Sequence, residues 1–285
     1  MKCTRLAIAA VACTLVAAAF VCTARSGDLW TTTLRDNFQR RAASRDPKQP
    51  AGTGATESPT EPKLNAVLWV GGYAHDFDSI ATVLADALPK RLPMNLKVVR
   101  DGSFLDAPEA AQLDVILMNH CYKATQGVLT DAQKQKLLER VRSGVGVVGI
   151  HASYYSFEEW EDYHRLYGAR FVKHEASDAR LVVTIVDKEH PITQGLDDSF
   201  EVVSELYQST PPAEDCRILA RSREAGTDPE YPSVWTRTYG KGRIVAILPG
   251  HWPDSYRVDG FQKLLASAAR WAARRSNAAE GRALP

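Results

Sequence analysis

The chain has 285 residues and a formal net charge of +1. It carries no basic cluster in its globular stretch, which gives no support for nucleic-acid binding. Of its five cysteines, only Cys121 and Cys216 lie outside the N-terminal leader. Two thiols make no disulfide framework, although one bridge is open to them in an oxidising compartment; both read as buried small apolar side chains.

The first residues do not look like part of the fold. Lys2 and Arg5 precede an apolar run from Leu6 to Cys22, followed by Thr23-Ala24-Arg25-Ser26. That pattern predicts a secretory signal over residues 1–24, and hence a periplasmic or secreted protein. The alternative is an uncleaved anchor, since the run is near the minimum that spans a bilayer. The bulky Phe20-Val21 speaks against a lipid on Cys22. Residues 25–62, rich in Pro, Gly and Thr, read as a flexible tether. Residues 63–275 are the right length for one α/β domain, and 276–285 form a polar tail.

Within the domain, strand and helix patterns alternate. Leu64 to Val70 reads as a buried strand ended by Gly71-Gly72, and Asp78 to Leu88 as a helix stopped by Pro89. Leu96 to Val99 and Asp114 to Met118 are further strands, the latter ending at Asn119-His120. Thr130-Asp131-Ala132-Gln133 opens a helix with a capping box. Val145 to Ile150 is the next strand, and Ser156 should cap a helix after it. This order predicts a mostly parallel, doubly wound sheet. Leu181 to Val186, Arg217 to Ala220, Ser233 to Thr236 and Arg243 to Leu248 are strands joined by loops, which implies an antiparallel extension. Tyr239 to Arg243 reads as a tight hairpin turn, and Phe261 to Arg274 as a closing helix.

The sharpest signal is Gly149-Ile150-His151-Ala152-Ser153, where a buried strand must turn abruptly. Such elbows lift one side chain above the carboxyl edge of a parallel sheet, where α/β proteins place their chemistry. Here that residue is His151, which points to acid/base or metal chemistry and not to a Ser or Cys nucleophile. His75, His120 and His251 also follow strands, so four of the seven histidines fall at strand exits. They predict one histidine-lined cleft, with His151 and His251 as general acid/base groups or as ligands of a divalent metal, zinc or manganese. Glu205 is a candidate buried carboxylate partnering a histidine. His174 and Asn119 are candidate wall residues, while Tyr154, Tyr155 and Trp252 offer stacking faces for a sugar ring. His190 reads as structural and His164 as an exposed helix residue.

Gly72 to Asp76, Gly149-Ile150-His151, Gly168 to Phe171 with His174, His190-Pro191-Ile192, Glu205-Leu206-Tyr207, Tyr239 to Arg243 and Gly250-His251 together resemble, in this order, the ThuA-like (trehalose-utilisation) domain of the class I glutamine amidotransferase-like superfamily. The resemblance implies a flavodoxin-like sheet whose elbow no longer carries the amidotransferase cysteine, so glutaminase activity is not expected. It also implies a role with a small sugar, trehalose or a keto-sugar. Two functions follow: a sugar-active enzyme using His151, His251, Glu205 and His75, or a non-catalytic carbohydrate-binding domain in which those residues are relics.

Overall fold

The computed structural model describes residues 61–273. The expected signal, nearly all of the tether and the polar tail lie outside the described residues. In chain order the elements are β1 (Leu64–Gly72), α1 (Phe77–Arg91), β2 (Met94–Val99), β3 (Val115–Cys121), α2 (Asp131–Ser143), β4 (Gly146–Ile150), α3 (Glu161–Tyr167), β5 (Phe171–Lys173), β6 (Ala179–Ile185), β7 (Ser199–Ser204), β8 (Gln208–Ser209), β9 (Arg217–Glu224), β10 (Tyr231–Tyr239), β11 (Gly242–Ile247) and α4 (Asp259–Ala272).

A nine-stranded sheet runs in the order β2-β1-β3-β4-β11-β10-β9-β6-β7. Its first five strands are parallel, and β10, β9, β6 and β7 continue it antiparallel. This is a flavodoxin-like α/β fold with an antiparallel extension. Strands buried on both faces read as unbroken apolar runs, and β3 and β4 are buried at every position. The carboxyl ends of β1, β4 and β11 therefore open on one edge.

Alternate side chains feed two cores. Leu68, Leu117 and Val148 pack with Leu84 of α1 and Leu264 of α4 on one face. Trp69, Met118 and Val147 pack with Leu138 of α2 and Tyr163 of α3 on the other. Each such aliphatic or aromatic side chain, fully buried, contributes roughly 1.5–3 kcal/mol before entropy is counted.

Helix starts follow local chemistry. Thr130 and Gln133 form the expected reciprocal capping box of α2, and the Asp76 carboxylate caps α1 by accepting from Ser79 N–H at 3.0 Å. The β10–β11 hairpin turns through Gly240-Lys241, with Gly240 at φ +61°.

Two expectations need correction. Pro89 does not stop α1, which runs on to Arg91; in the last turn a missing N–H removes only one bond. Ser156 caps no helix. Its hydroxyl accepts from Tyr122 N–H and lies 3.0 Å from both His120 Nδ1 and the His120 carbonyl, while Phe157 at φ +58° breaks the run. A 3₁₀ turn over His151–Tyr154 follows the elbow instead, and the helix begins only at Glu161. Both cysteines are free, Cys121 buried and Cys216 partly so, so no bridge joins them.

Gly149 is where the elbow strand meets α3: a Cβ there would lie 2.3 Å from the Tyr167 ring. Overpacking of this kind costs about 1–3 kcal/mol. Gly149→Ala is therefore expected to lower the urea midpoint of unfolding at unchanged m-value; an unmoved midpoint would refute this account of the packing.

Candidate functional site

The elbow places His151 at φ +49°, a left-handed conformation that costs a side-chain-bearing residue roughly 1–2 kcal/mol. Its ring is fixed from the neighbouring strand exit, where Nδ1 lies 2.7 Å from the Leu248 carbonyl oxygen. A carbonyl only accepts, so Nδ1 carries the proton and, in the neutral ring, Nε2 presents a lone pair. That lone pair faces Glu205 Oε2 at 3.3 Å, His251 Nδ1 at 3.4 Å and the Tyr207 hydroxyl at 3.3 Å.

His75 is held in the same way. Ala74 at φ +66° turns the chain back, and His75 Nδ1 donates to the Tyr73 carbonyl at 3.1 Å. Its Nε2 is buried with no hydrogen-bond partner. Burial, reinforced by the nearby His151, pushes the His75 pKa down to about 3. His251 is set by Gly250, whose φ is +130°, and by Ser204 Oγ, which accepts from Gly250 N–H at 2.9 Å and His251 N–H at 3.1 Å. Glu205 follows directly, and its Oε1 lies 3.4 Å from His251 Nδ1.

Burial lowers the His151 pKa despite the Glu205 carboxylate beside it and the hydrogen bond to Leu248. For Glu205, burial acts upward, but the neighbouring His151 and His251 act downward more strongly and hold the carboxylate ionised.

One ligand atom from each of His75, His151, Glu205 and His251 lies within 4.8 Å of the others. Bonds of about 2.0–2.1 Å in a tetrahedral zinc site imply ligand–ligand edges of about 3.3–3.4 Å. The 3.4 Å between His151 Nε2 and His251 Nδ1 matches that edge, and the two Glu205 oxygens approach one ring each at similar range, Oε2 to His151 at 3.3 Å and Oε1 to His251 at 3.4 Å; all three are long for hydrogen bonds. The backbone carbonyls behind His75 and His151 are the supports that metal-ligating histidines use to fix their tautomer.

Around this cluster, His174 reaches Glu205 Oε1 at 3.5 Å with 35% of its side chain exposed. Tyr207, which the sequence reading did not single out as a site residue, lies against His151 with its ring tilted by 31° and 4.5 Å between ring centres. Its position two residues after Glu205 is the signal that could have found it. Tyr155 is partly buried and donates to Glu158 Oε1 at 2.7 Å. Trp252 is exposed beside His251.

Four residues are not where the sequence put them. His120 is no part of the cleft: β3 runs three residues further than its apolar pattern suggested, and alternation turns His120 into the opposite core, 4.4 Å from the Trp69 ring centre. Burial lowers its pKa to about 3. Asn119 is buried one layer behind the site. Its amide donates to the Tyr256 hydroxyl at 2.5 Å, and Tyr256 donates to the Gly250 carbonyl at 2.6 Å. Tyr154 is wholly buried between Tyr167 and Trp235, with no face left for a ligand. His164 is buried too, its Nε2 3.2 Å from the Phe157 carbonyl. Cys121 lies behind the cluster, and burial pushes its thiol up to about 11, so it remains protonated at neutral pH.

The ThuA family, described as trehalose utilisation, matches residues 65–272. The chain belongs to the ThuA family. Among solved structures it is similar to a ThuA-like protein from Bacteroides uniformis, with 21% identity, 81% of this chain and 97% of the other covered, and a TM-score of 0.64. A ThuA-like protein from Parabacteroides merdae is similar at 21% identity over 75% of this chain and 91% of the other, with a TM-score of 0.63. A cytoplasmic protein from Salmonella typhimurium shares the fold at 14% identity, 72% and 98% coverage, and a TM-score of 0.55. No curated protein matches in sequence. At the apex of the elbow this ThuA-family chain presents imidazole in place of a thiol or hydroxyl.

Buried neutral histidines make the fold acid-sensitive. His120 and His190 have folded pKa values lowered to about 3 and about 4 by burial, against about 6.5 unfolded. The unfolded chain binds more protons below that value, so stability present above pH 6.5 is lost as the pH falls. The melting midpoint is expected to drop between pH 7 and pH 5, above the range where most carboxylates titrate, and to drop less in His120→Asn. A flat profile over that range would contradict the burial of these rings.

Proposed function

We propose that His75, His151, Glu205 and His251 hold one divalent metal ion, zinc or manganese, and that this centre acts on a sugar or keto-sugar. The observation that carries the reading is the His151 Nε2 lone pair set 3.3 Å from a Glu205 carboxylate oxygen. Two acceptors that close repel unless a cation lies between them, and burial disfavours the imidazolium that would supply a proton instead. His75 Nε2, buried without a partner, is the second nitrogen facing the same space. Three imidazoles and one carboxylate suit zinc or manganese.

A bound divalent ion would supply Lewis acidity toward a carbonyl or hydroxyl oxygen. The protein's own groups do the rest. The Leu248 and Tyr73 carbonyls orient His151 and His75, and Ser204 fixes the backbone of His251. His174, at the solvent edge of Glu205, is placed to hydrogen-bond a substrate hydroxyl. The family's description as trehalose utilisation supports a sugar as the substrate class. The basic, apolar, small-residue start of the chain supports a periplasmic or secreted location, or attachment to a membrane through that segment.

Elemental mass spectrometry of the full-length protein tests the centre. Wild type is expected to carry one ion per chain after zinc or manganese loading, and His151→Ala and His251→Ala to lose it while keeping their circular dichroism. Turnover of a sugar or keto-sugar should disappear in the same two variants. Wild type that stays metal-free after loading would overturn the reading.

A further inference from the structure

We propose that Tyr73 and Trp252 form the aromatic walls of a sugar-ring subsite at the mouth of the centre. This rests on the metal-and-sugar reading above and names the residues that hold the substrate's body.

Exposure picks these two out. The exposed large hydrophobic side chains among the described residues are Tyr73, Val98, Val172, Val186, Val203 and Trp252. The valines are scattered over β2, β5, β7 and the residue after β6. The two aromatics each adjoin a histidine of the cluster. Tyr73, 45% exposed, gives its carbonyl to His75 Nδ1. Trp252, 42% exposed, follows His251, and their ring centres lie 4.5 Å apart. The His75 and His251 rings are themselves 4.6 Å apart, so both aromatics stand at the rim of one cluster.

Trp252 is pinned at its polar end, where Nε1 donates to the Ser177 carbonyl at 2.8 Å. A ring needed only for packing would be buried, as Tyr154 is. A ring left exposed yet fixed in orientation is a pre-organised binding face, because little side-chain entropy remains to be lost. The flat apolar faces of both aromatics suit the C–H face of a pyranose, whose hydroxyls point outward to His174.

The test uses the zinc-loaded full-length protein, with trehalose and glucose as probes. Binding is followed by isothermal titration in wild type, Tyr73→Ala, Trp252→Ala and Tyr73→Phe, with metal content measured on every sample. Losing one stacked face is worth about fivefold or more in affinity. The expected result is binding of a neutral sugar by wild type, weakened at least that much in both alanine variants and largely retained in Tyr73→Phe, with metal stoichiometry unchanged throughout. Neutral-sugar affinity unchanged in both alanine variants would overturn the aromatic walls while leaving the centre standing. Metal present without any binding of trehalose or glucose would overturn the sugar subsite. Sugar binding that depends on both rings in a metal-free protein would sink the metal reading alone.

Discussion

The hydrogen bond from His151 Nδ1 to the Leu248 carbonyl is the contact on which the site depends. It joins two adjacent parallel strand exits and decides which imidazole nitrogen is protonated. With the proton committed to the carbonyl, Nε2 has nothing to donate toward Glu205. The cluster is thereby defined as a set of electron-pair donors facing a common space. Were the tautomer reversed, the same atoms would form an ordinary neutral hydrogen-bond network.

The scaffold supplies these donors from opposite ends of the sheet. His75, His151 and His251 leave β1, β4 and β11, which belong to its parallel part, whereas Glu205 leaves β7 at the far antiparallel edge. The two are tied through Ser204, which accepts from the backbone of Gly250 and His251, and through Ser255, which donates to the Val203 carbonyl at 2.6 Å. The antiparallel extension thus provides the only carboxylate of the cluster. Left-handed backbone at Ala74 and His151 is the conformational cost of aiming two of the histidines, and buried side-chain packing on both sheet faces sustains it.

Much of the fold was legible because it is written in runs of residues. Unbroken apolar stretches marked β1, β3 and β4, the Thr130–Gln133 box marked α2, and the glycine-containing turn marked the last hairpin. Where side-chain chemistry competed with pattern, the reading failed. Ser156 carries the signature of a helix cap, yet its hydroxyl serves the end of β3. His120 looked like a strand exit because polar residues usually end a buried run, but the strand continued and alternation reversed its direction. Of the four clustered side chains, His75, His151 and His251 were singled out by their places after strands, and Glu205 by its apolar neighbours. Tyr207 and the carbonyls of Tyr73 and Leu248 were not, since a backbone oxygen leaves no mark in a sequence and a tyrosine among apolar neighbours reads as core.

The donors of the cluster span the chain from residue 75 to residue 251, and this bears on how the protein matures. At a synthesis rate of about 5–20 residues per second, roughly 10–35 s separate the emergence of the first donor from that of the last. The β1–β4 portion can begin to collapse while still attached to the ribosome, yet it holds only two of the four donors. If the cluster takes an ion as proposed, capture at a fully formed site would be a post-translational event, belonging to whichever compartment the completed chain folds in.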